Sequence, residues 1–420
     1  MLEKISFSEM GLRVQEPVIV DLMVRSLGNP DILDLAVGFT SNETLPTEEV
    51  SRALSLLAEK TASNPEYLQY GTNQGRPLLR ELTANMIAGF ANEKIPDLSH
   101  NNVLITNGSQ QALYLAAQVL CNQGDILFVE NPTYFVFLEL LRGLGITAIS
   151  MPTKENGRID FDKLSLVIDE LEEKGLKKRI KGAYFVSYFA NPSSRSLPLE
   201  DKIAIGLTFK NKDLIIPIIE DAAYRNLYYK HPYAACSMLS LPELKDFPIL
   251  YLGTYTKPLA SGMKIGFGYC NHKEWLNKLL YVKGHHDFGS ANFSQALIET
   301  FLKEGWFPHH LQRQHEHYGR KAASFHQALI DEKFHEMGWK WDKPEGGLMF
   351  WLRGPHHLDT SIGSEFCESC IEEGVLYVPG DLNIAERNPK NCIRAAIGTM
   401  PDNRLREAVH RLATVAKLFL

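Results

Sequence analysis

The stretch VLITNGSQQALYLAAQVLCNQGDILFVENPTY, residues 103–134, holds the pattern that decides the fold. Two short apolar runs, at 103–106 and 126–130, enclose a helical pattern at 110–120. Neither run alternates between apolar and polar residues, so we expect each strand to be buried on both faces. Strand, helix and strand in this order predict a parallel sheet that is covered by helices.

The same alternation continues along the chain. Four more apolar runs follow, namely AYFVSYF (183–189), LIIPIIE (214–220), ILYLGT (249–254) and IGFGYC (265–270). Helical patterns lie between the runs, for example at 161–173 and 198–209. We therefore predict an α/β fold in which residues 46–305 form a large domain around a mostly parallel sheet.

The pattern changes after about residue 305. A long helical pattern runs to about Leu329, and strand-like segments at 348–352, 375–378 and 392–396 then alternate with helical ones, the last at 404–418. This predicts a smaller α+β domain at 306–420. Residues 1–45 are too few to fold alone, and we expect them to pack on the small domain or at a subunit interface.

Composition and charge exclude several classes of protein. The chain has 420 residues, of which 45% are hydrophobic and 22% charged, as in ordinary globular proteins. A net charge of −6 does not suit nucleic-acid binding. Neither a membrane-spanning stretch nor a signal peptide is predicted. The six cysteines are too sparse for a disulfide framework, which suits a cytoplasmic protein, and we interpret the lone CxxC at Cys367 and Cys370 as structural.

Polar residues follow five of the predicted strands at once. They are found at 107–110, 131–134, 191, 221–224 and 254–257. Ligands of open α/β sheets bind outside the carboxyl ends of the strands. We therefore expect these five groups to converge on one site, although about 150 residues separate the first from the last.

Each polar group suits part of one ligand. The helix that opens at Gly108 and Ser109 offers free N–H groups to a phosphate, and Tyr134 offers a ring for stacking. A carboxylate at the end of an apolar strand, Asp221, needs a cationic partner, and a protonated ring nitrogen would serve. Lys257, beside two threonine hydroxyls, can be a Schiff-base nucleophile.

Taken singly, these residues have ordinary alternatives. Ser109 could be a plain helix N-cap, Asp221 could form a salt bridge to Arg225, and Lys257 could be a solvated surface residue. Taken together, a phosphate seat, a stacking ring, a buried acid and a Schiff-base lysine indicate pyridoxal 5′-phosphate.

The motifs that carry these residues resemble those of the fold-type I aminotransferases of class I and II, and most closely the kynurenine, 2-aminoadipate and aromatic aminotransferases. The resemblance runs from about Asp34 to the C-terminus. It rests on YGTNQGRPLLRE (70–81), NGSQQAL (107–113), NPSS (191–194), EDAAY (220–224), GTYTK (253–257) and NCIRAAIG (391–398).

The resemblance implies a role for each matching residue. Lys257 would form the Schiff base, Asp221 would pair with the ring nitrogen, and Tyr224 and Asn191 would contact the phenolic oxygen. The implied remaining cofactor contacts are Gly108, Ser109, Gln110, Tyr134, Thr254, Lys264 and, from a neighbouring subunit, Tyr70. The implied substrate contacts are Arg394 at the α-carboxylate, Asn191 and Gly38. No metal is implied.

The implied activity is transfer of an amino group from an aromatic, 2-aminoadipate-like or kynurenine-like L-amino acid to a 2-oxo acid such as 2-oxoglutarate. The implied assembly is a homodimer with shared active sites. Phe39, Tyr67 and Tyr70 give weak support to a flat apolar substrate pocket.

The sequence departs from the family pattern at three places. Ser194 replaces the glycine of the usual N-P-T-G turn, and Lys264 replaces the phosphate-binding arginine. Lysine offers a point charge where arginine offers a two-pronged donor. The loop GFTSNETLP (38–46) lacks the common G-x-P-D, which weakens any inference about substrate specificity.

Other functions stay open at this point. A β-lyase or decarboxylase would use most of the same residues. A transcription regulator on this fold would need an N-terminal DNA-binding domain, and the 45 residues before the core carry no basic bias. A zinc hydrolase is prompted by His309, His310, His315 and His317, but no H-E-x-x-H motif occurs.

Overall fold

The computed structural model describes residues 5–18, 20, 22, 24, 28, 31–61, 65–90 and 92–420. Of the predicted N-terminal segment, residues 1–4, 19, 21, 23, 25–27 and 29–30 lie outside this set. None of the helices within it is long and apolar enough to cross a membrane.

A seven-stranded sheet forms the centre of residues 46–305, the range predicted as the large domain, with the strand order β2-β8-β7-β6-β5-β3-β4. Its strands are β2 (Val103–Thr106), β3 (Ile126–Val129), β4 (Thr147–Ser150), β5 (Ile180–Val186), β6 (Ile218–Asp221), β7 (Ile249–Thr254) and β8 (Gly266–Cys270). The neighbouring pairs from β4 to β7 are parallel. β8 runs antiparallel to both β2 and β7, so the sheet is mostly but not wholly parallel.

Both faces of this sheet are covered, as the unbroken apolar runs predict. In β3, Ile126 and Phe128 enter one hydrophobic cluster, whereas Leu127 and Val129 enter another. The helices of the large domain are α2 (Thr47–Thr61), α3 (Pro77–Ala88), α4 (Gly108–Leu120), α5 (Phe135–Leu144), α6 (Phe161–Glu173), α7 (Leu199–Asn211), α8 (Lys273–His286) and α9 (Asn292–Lys303).

Three strand predictions differ from the structure. The run at 183–189 forms a strand that begins earlier and ends at Val186, and the chain then turns toward the site. The run at 214–220 pairs only from Ile218, because Pro217 has no N–H to contribute to the ladder. The edge strand β4 was not predicted, because its residues are half-exposed and form no apolar run.

The C-terminal part contains a small antiparallel sheet with the order β11-β12-β9. Its strands are β9 (Met349–Arg353), β11 (Val378–Pro379) and β12 (Cys392–Ala396), and its helices are α10 (Trp306–Asp331), α11 (Glu365–Glu372) and α12 (Asp402–Lys417). Cys367 and Cys370 are buried in α11, and none of the six cysteines forms a disulfide.

The N-terminal segment contacts both parts of the molecule. Strand β1 (Leu33–Asp34) pairs with β10 (Val375–Leu376), and Leu33 lies in the core of the C-terminal part. The short helix α1 (Glu9–Arg13) instead contacts α5 of the large domain, where Arg13 Nε donates to the Gly143 carbonyl at 3.3 Å.

Candidate active site

The carboxyl ends of the central strands lie side by side. Asp221 ends β6 opposite Val186 of β5 and Leu252 of β7. The segments that follow β5 and β7 therefore carry Asn191 and Lys257 toward the same edge of the sheet. Arg394 reaches this edge from β12, where its Nη1 donates to Asn191 Oδ1 at 3.3 Å.

Asp221 is a buried carboxylate without an ion-pair partner in the described part of the chain. It accepts hydrogen bonds from the Tyr184 hydroxyl at 2.9 Å and from the Ala223 N–H at 2.9 Å. The alternative salt bridge to Arg225 is wrong, because Arg225 pairs with Glu93. Burial raises the pKa of Asp221 to about 6, although both hydrogen bonds act to lower it. A cationic N–H beside this carboxylate would restore its ionised form.

Lys257 lies just beyond β7, where its Nζ donates to the Gly38 carbonyl at 2.7 Å. Burial lowers the pKa of this amine to about 8, and the positive charges of Arg394 and Lys264 act in the same direction. A much larger fraction of the amine is therefore neutral near physiological pH than for an ordinary lysine. A neutral amine is the form that attacks a carbonyl carbon.

Arg394 is buried, and burial lowers its pKa to about 10. Besides Asn191, it donates to the Ala36 carbonyl, whereas its buried Nε has no hydrogen-bond partner among the described residues. A buried guanidinium with a free donor suits a carboxylate, which accepts paired hydrogen bonds from arginine.

Two tyrosines, Tyr224 and Tyr134, belong to the same site as Asp221 and Arg394. Burial raises the pKa of Tyr224 to about 12, and both Asn191 and the charge of Arg394 oppose that rise. Tyr134 precedes α5, and burial, Tyr224 and Asp221 together raise its pKa. Both hydroxyls therefore stay protonated at neutral pH and can donate hydrogen bonds.

The turn at 107–111, which we call the phosphate turn, lies at the start of α4. The helix begins at Gly108, so Ser109 is not its N-cap, and the Asn107 side chain leaves the first N–H groups uncapped. Gly266 of β8 packs against the turn so closely that a Cβ there would lie 2.5 Å from Gly108 C and Ser109 N. The uncapped N–H groups form an anion seat.

Threonine and lysine side chains surround the phosphate turn. Thr256 Oγ1 and Gln110 Oε1 are buried and have no partner among the residues described. Thr254 Oγ1 accepts from the Thr256 N–H at 3.0 Å, and Lys264 is an exposed cation in a left-handed turn with φ of 55°. The free Thr256 hydroxyl, which can donate, fits the phosphate of pyridoxal phosphate together with the free helix N–H groups and a lysine.

Tyr70 is not brought to the site of its own chain. Its side chain is 82% exposed and meets Phe288 edge-on, with ring centroids 5.5 Å apart. Tyr67, considered for the substrate pocket, is instead buried and donates to the Leu57 carbonyl. Its role is therefore in packing.

The conformation of Ser194 shows how this turn forms without the glycine of the family motif. It adopts the left-handed conformation, with φ of 53°, that glycine would favour at this turn. Its hydroxyl donates to the Met349 carbonyl at 2.6 Å, which ties the Asn191 turn to β9.

Sequence reasoning missed Tyr184, the hydrogen-bond donor to Asp221. The two residues lie two positions apart in the register of neighbouring strands, since Tyr184 is opposite Ile219. No local motif marks this contact, because it depends on β5 and β6 being neighbours. Within the described ranges, no group of three or more His, Cys, Asp and Glu side chains is placed to hold a metal ion.

Comparison with known proteins gives the class of protein. Residues 30–412 match the model of the aminotransferase class I and II family, and the chain belongs to this family. The predictions of the family, of the fold-type I α/β architecture and of an aminotransferase are confirmed.

Individual relatives are similar over nearly the whole chain. An aromatic-amino-acid aminotransferase of Thermococcus litoralis is 31% identical over 98% of this chain and 94% of its own length. The structure of a Pyrococcus horikoshii kynurenine aminotransferase is 29% identical, covers 99% and 97% of the two chains and has a TM-score of 0.87. LysN, an α-aminoadipate aminotransferase of Thermus thermophilus, is 29% identical, with coverage of 98% and 97% and a TM-score of 0.82.

Proposed function

We propose that this chain transfers an amino group from an aromatic, 2-aminoadipate-like or kynurenine-like L-amino acid to a 2-oxo acid such as 2-oxoglutarate. Pyridoxal 5′-phosphate is the cofactor that the family indicates. The observation that carries the proposal is that the charge of Arg394 acts on Lys257, whose pKa is about 8, while Asp221 is a buried carboxylate without an ion-pair partner among the described residues.

The cofactor contacts are proposed from the residues around the phosphate turn and the strand ends. Gly108, Ser109, Gln110, Thr254 and Lys264 would hold the phosphate, and Tyr134 would stack on the ring. Asp221 would hold the ring N–H, and Asn191 and Tyr224 would donate to the phenolic oxygen. When bound, pyridoxal phosphate supplies a carbonyl carbon that takes up the amino group and a ring that accepts electron density.

The side chains of this chain divide the remaining work. Arg394 binds and orients the α-carboxylate of the amino acid. Lys257 accepts the proton from the amino-acid Cα and later returns one, because a group with a pKa near 8 exchanges protons readily at neutral pH. The Gly38 carbonyl accepts from Lys257 Nζ, which supports the proposal that the 38–46 loop would border the substrate.

The substrate class is supported by the relatives, whose names cover aromatic amino acids, kynurenine and α-aminoadipate. Phe39 adds an apolar ring, 47% exposed, next to Gly38.

A homodimer with shared active sites is part of the proposal. Leu68, Tyr70, Phe288 and Phe293 are large apolar side chains with exposures of 62, 82, 68 and 40%. We call this surface the Tyr70 face. Exposed apolar clusters of this kind mark association sites. If a second copy docked there, Tyr70 of the first chain would be buried near the phosphate turn of the second copy. A cytoplasmic location is also proposed, since none of the six cysteines forms a disulfide.

A screen of amino donors tests the function. The purified protein is loaded with pyridoxal phosphate, and its absorbance is followed after each L-amino acid is added, with 2-oxoglutarate or pyruvate as acceptor. We expect aromatic donors, kynurenine or 2-aminoadipate to react fastest and to yield one 2-oxo acid per amino group transferred. Ping-pong kinetics are expected.

Lys257→Ala provides the control. The variant should lose the absorbance of lysine-bound cofactor and all turnover, and retention of either would refute the assignment of Lys257. Release of ammonia or carbon dioxide without stoichiometric amino transfer would identify the lyase or decarboxylase alternative instead.

A further inference from the structure

One partly buried carboxylate connects two regions that the proposed function uses separately. Asp287 follows α8 and accepts from Lys283 Nζ at 2.9 and 3.1 Å. The Lys283 side chain is completely buried. Burial opposes ionisation of Asp287, but hydrogen bonds from Gln111, Gly289 and Lys283 outweigh it and hold the pKa of Asp287 below its ordinary value. The carboxylate is therefore charged and fixed in place.

On one side, Asp287 holds the phosphate turn. Gln111 Nε2 donates to Asp287 Oδ2 at 2.8 Å, and Asn107 Nδ2 donates to the same oxygen at 3.1 Å. Gln111 Oε1 in turn accepts from the Asn107 N–H at 2.8 Å. Both ends of the turn thus depend on the position of a single oxygen atom.

On its other side, Asp287 shapes the loop that carries Phe288. Asp287 Oδ1 accepts from the Gly289 N–H at 2.9 Å. This bond spans Phe288 and Gly289, which adopt φ angles of +52° and +112°. The left-handed conformation is unfavourable for phenylalanine, so the loop needs such support.

The loop contacts the segment that carries Tyr70. Phe288 meets Tyr70 edge-on, and a Cβ on Gly289 would lie 3.3 Å from the Thr72 carbonyl. Phe288 and Tyr70 are also the most exposed side chains of the Tyr70 face. A change in the position of Asp287 would therefore move this face as well as the phosphate turn.

We propose that Asp287 is a positioning residue that couples cofactor binding in its own subunit to docking of a second copy on the Tyr70 face. The inference rests on the proposed function, because it assumes a phosphate at the turn and a dimer at that face. Phosphate bound at the turn would further restrain Asn107 and Gln111, and through their hydrogen bonds it would further restrain Asp287 and the loop. Pyridoxal phosphate should therefore lower the dissociation constant of the dimer, and dimer formation should lower the dissociation constant of pyridoxal phosphate by the same factor.

Sedimentation analysis with and without pyridoxal phosphate tests the coupling. The measured quantity is the ratio of the two dimer dissociation constants. We expect the cofactor to tighten the wild-type dimer at least about fivefold, the lower end of common coupling strengths. In Asp287→Asn, we expect this ratio to fall to the part that the direct contact of the neighbouring Tyr70 with the phosphate supplies.

Two further variants distinguish a positioning role of Asp287 from a general loss of protein stability. Asp201→Asn is the matched control, since Asp201, like Asp287, is a carboxylate that pairs with a cation, here Arg158, but it contacts neither region. It should keep the wild-type ratio. Lys283→Met/Asp287→Asn removes the lysine charge that the single variant leaves unpaired, and it should keep the reduced ratio of the single variant.

The outcomes are distinct. Three outcomes would overturn the inference. The first is a wild-type ratio in Asp287→Asn, and the second is a wild-type dimer whose dissociation constant does not change with the cofactor. The third is recovery of the wild-type ratio in the double variant. Wild-type protein that shows no absorbance band with pyridoxal phosphate would refute the proposed function itself.

Discussion

At the scale of single residues, surroundings give Lys257 its reactivity. An exposed lysine is almost wholly protonated at neutral pH. Burial beside Arg394 and Lys264 lowers the pKa of Lys257 to about 8, so the fold supplies a fraction of neutral amine. Arg394 thus has two effects, since it offers donors to a carboxylate and its charge favours the neutral lysine.

Arg394→Gln tests the second effect. Uptake of pyridoxal phosphate by the apoprotein should rise with pH through the pKa of Lys257, because only the neutral amine attacks. Loss of the Arg394 charge makes the protonated form of Lys257 more stable. The pH midpoint of cofactor uptake should therefore move up from about 8 toward 10.5. The midpoint is read from absorbance between pH 6 and 11.

The control for this experiment is Arg406→Gln, since Arg406 is exposed and pairs with Asp331. Its midpoint should equal that of the wild type. An unchanged midpoint in Arg394→Gln would contradict the electrostatic explanation.

At the scale of elements, the anion seat depends on how closely β8 approaches the start of α4. Gly266 permits this approach, because any side chain would meet the backbone of the phosphate turn. Backbone atoms cannot swing aside as a flexible side chain can, so a larger residue must displace the helix start.

Gly266→Ala should therefore weaken cofactor binding. Overpacking of a core usually costs about 1–3 kcal/mol. If this strain destabilises only the cofactor-bound state, the dissociation constant of the cofactor rises about five- to 150-fold. Fluorescence titration of the apoprotein with pyridoxal phosphate measures this constant. The matched control is Gly262→Ala, since a Cβ on Gly262 meets nothing within 4 Å. Equal constants for the two variants would show that the close approach does not matter.

At the scale of the whole molecule, the site is incomplete within one chain if Tyr70 serves the phosphate. Tyr70 is exposed and its ring contacts Phe288 at the surface of its own chain, where a neighbouring copy could reach it. Closed symmetric dimers use the same surface on both copies, so each chain would give one Tyr70 and receive one.

Mixing two inactive variants tests this exchange. Tyr70→Ala and Lys257→Ala each lack one residue, but a hybrid dimer has one site with both. Random reassembly of equal amounts should therefore restore about a quarter of wild-type activity. The unmixed variants, treated in the same way, are the control. If activity stays at their level, Tyr70 acts within its own chain or not at all.

Much of the site could be predicted from the sequence, because short motifs carry it. The apolar runs at 103–106 and 249–254 match β2 and β7, and the polar residues after the strands do meet at one edge. Prediction was weaker where a strand is partly exposed, as in β4, or interrupted by proline, as before β6.

The sequence by itself determined which chemical groups are present and which segment carries each, since strand period, turn residues and motif spacing act over a few neighbouring residues. Only the tertiary structure decided which groups meet. It joined Tyr184 to Asp221, linked Asp287 to the phosphate turn, directed Tyr70 away from its own site and set the pKa of Lys257. These outcomes depend on strand order and on exclusion of water, and both arise from contacts between residues that are far apart in the chain.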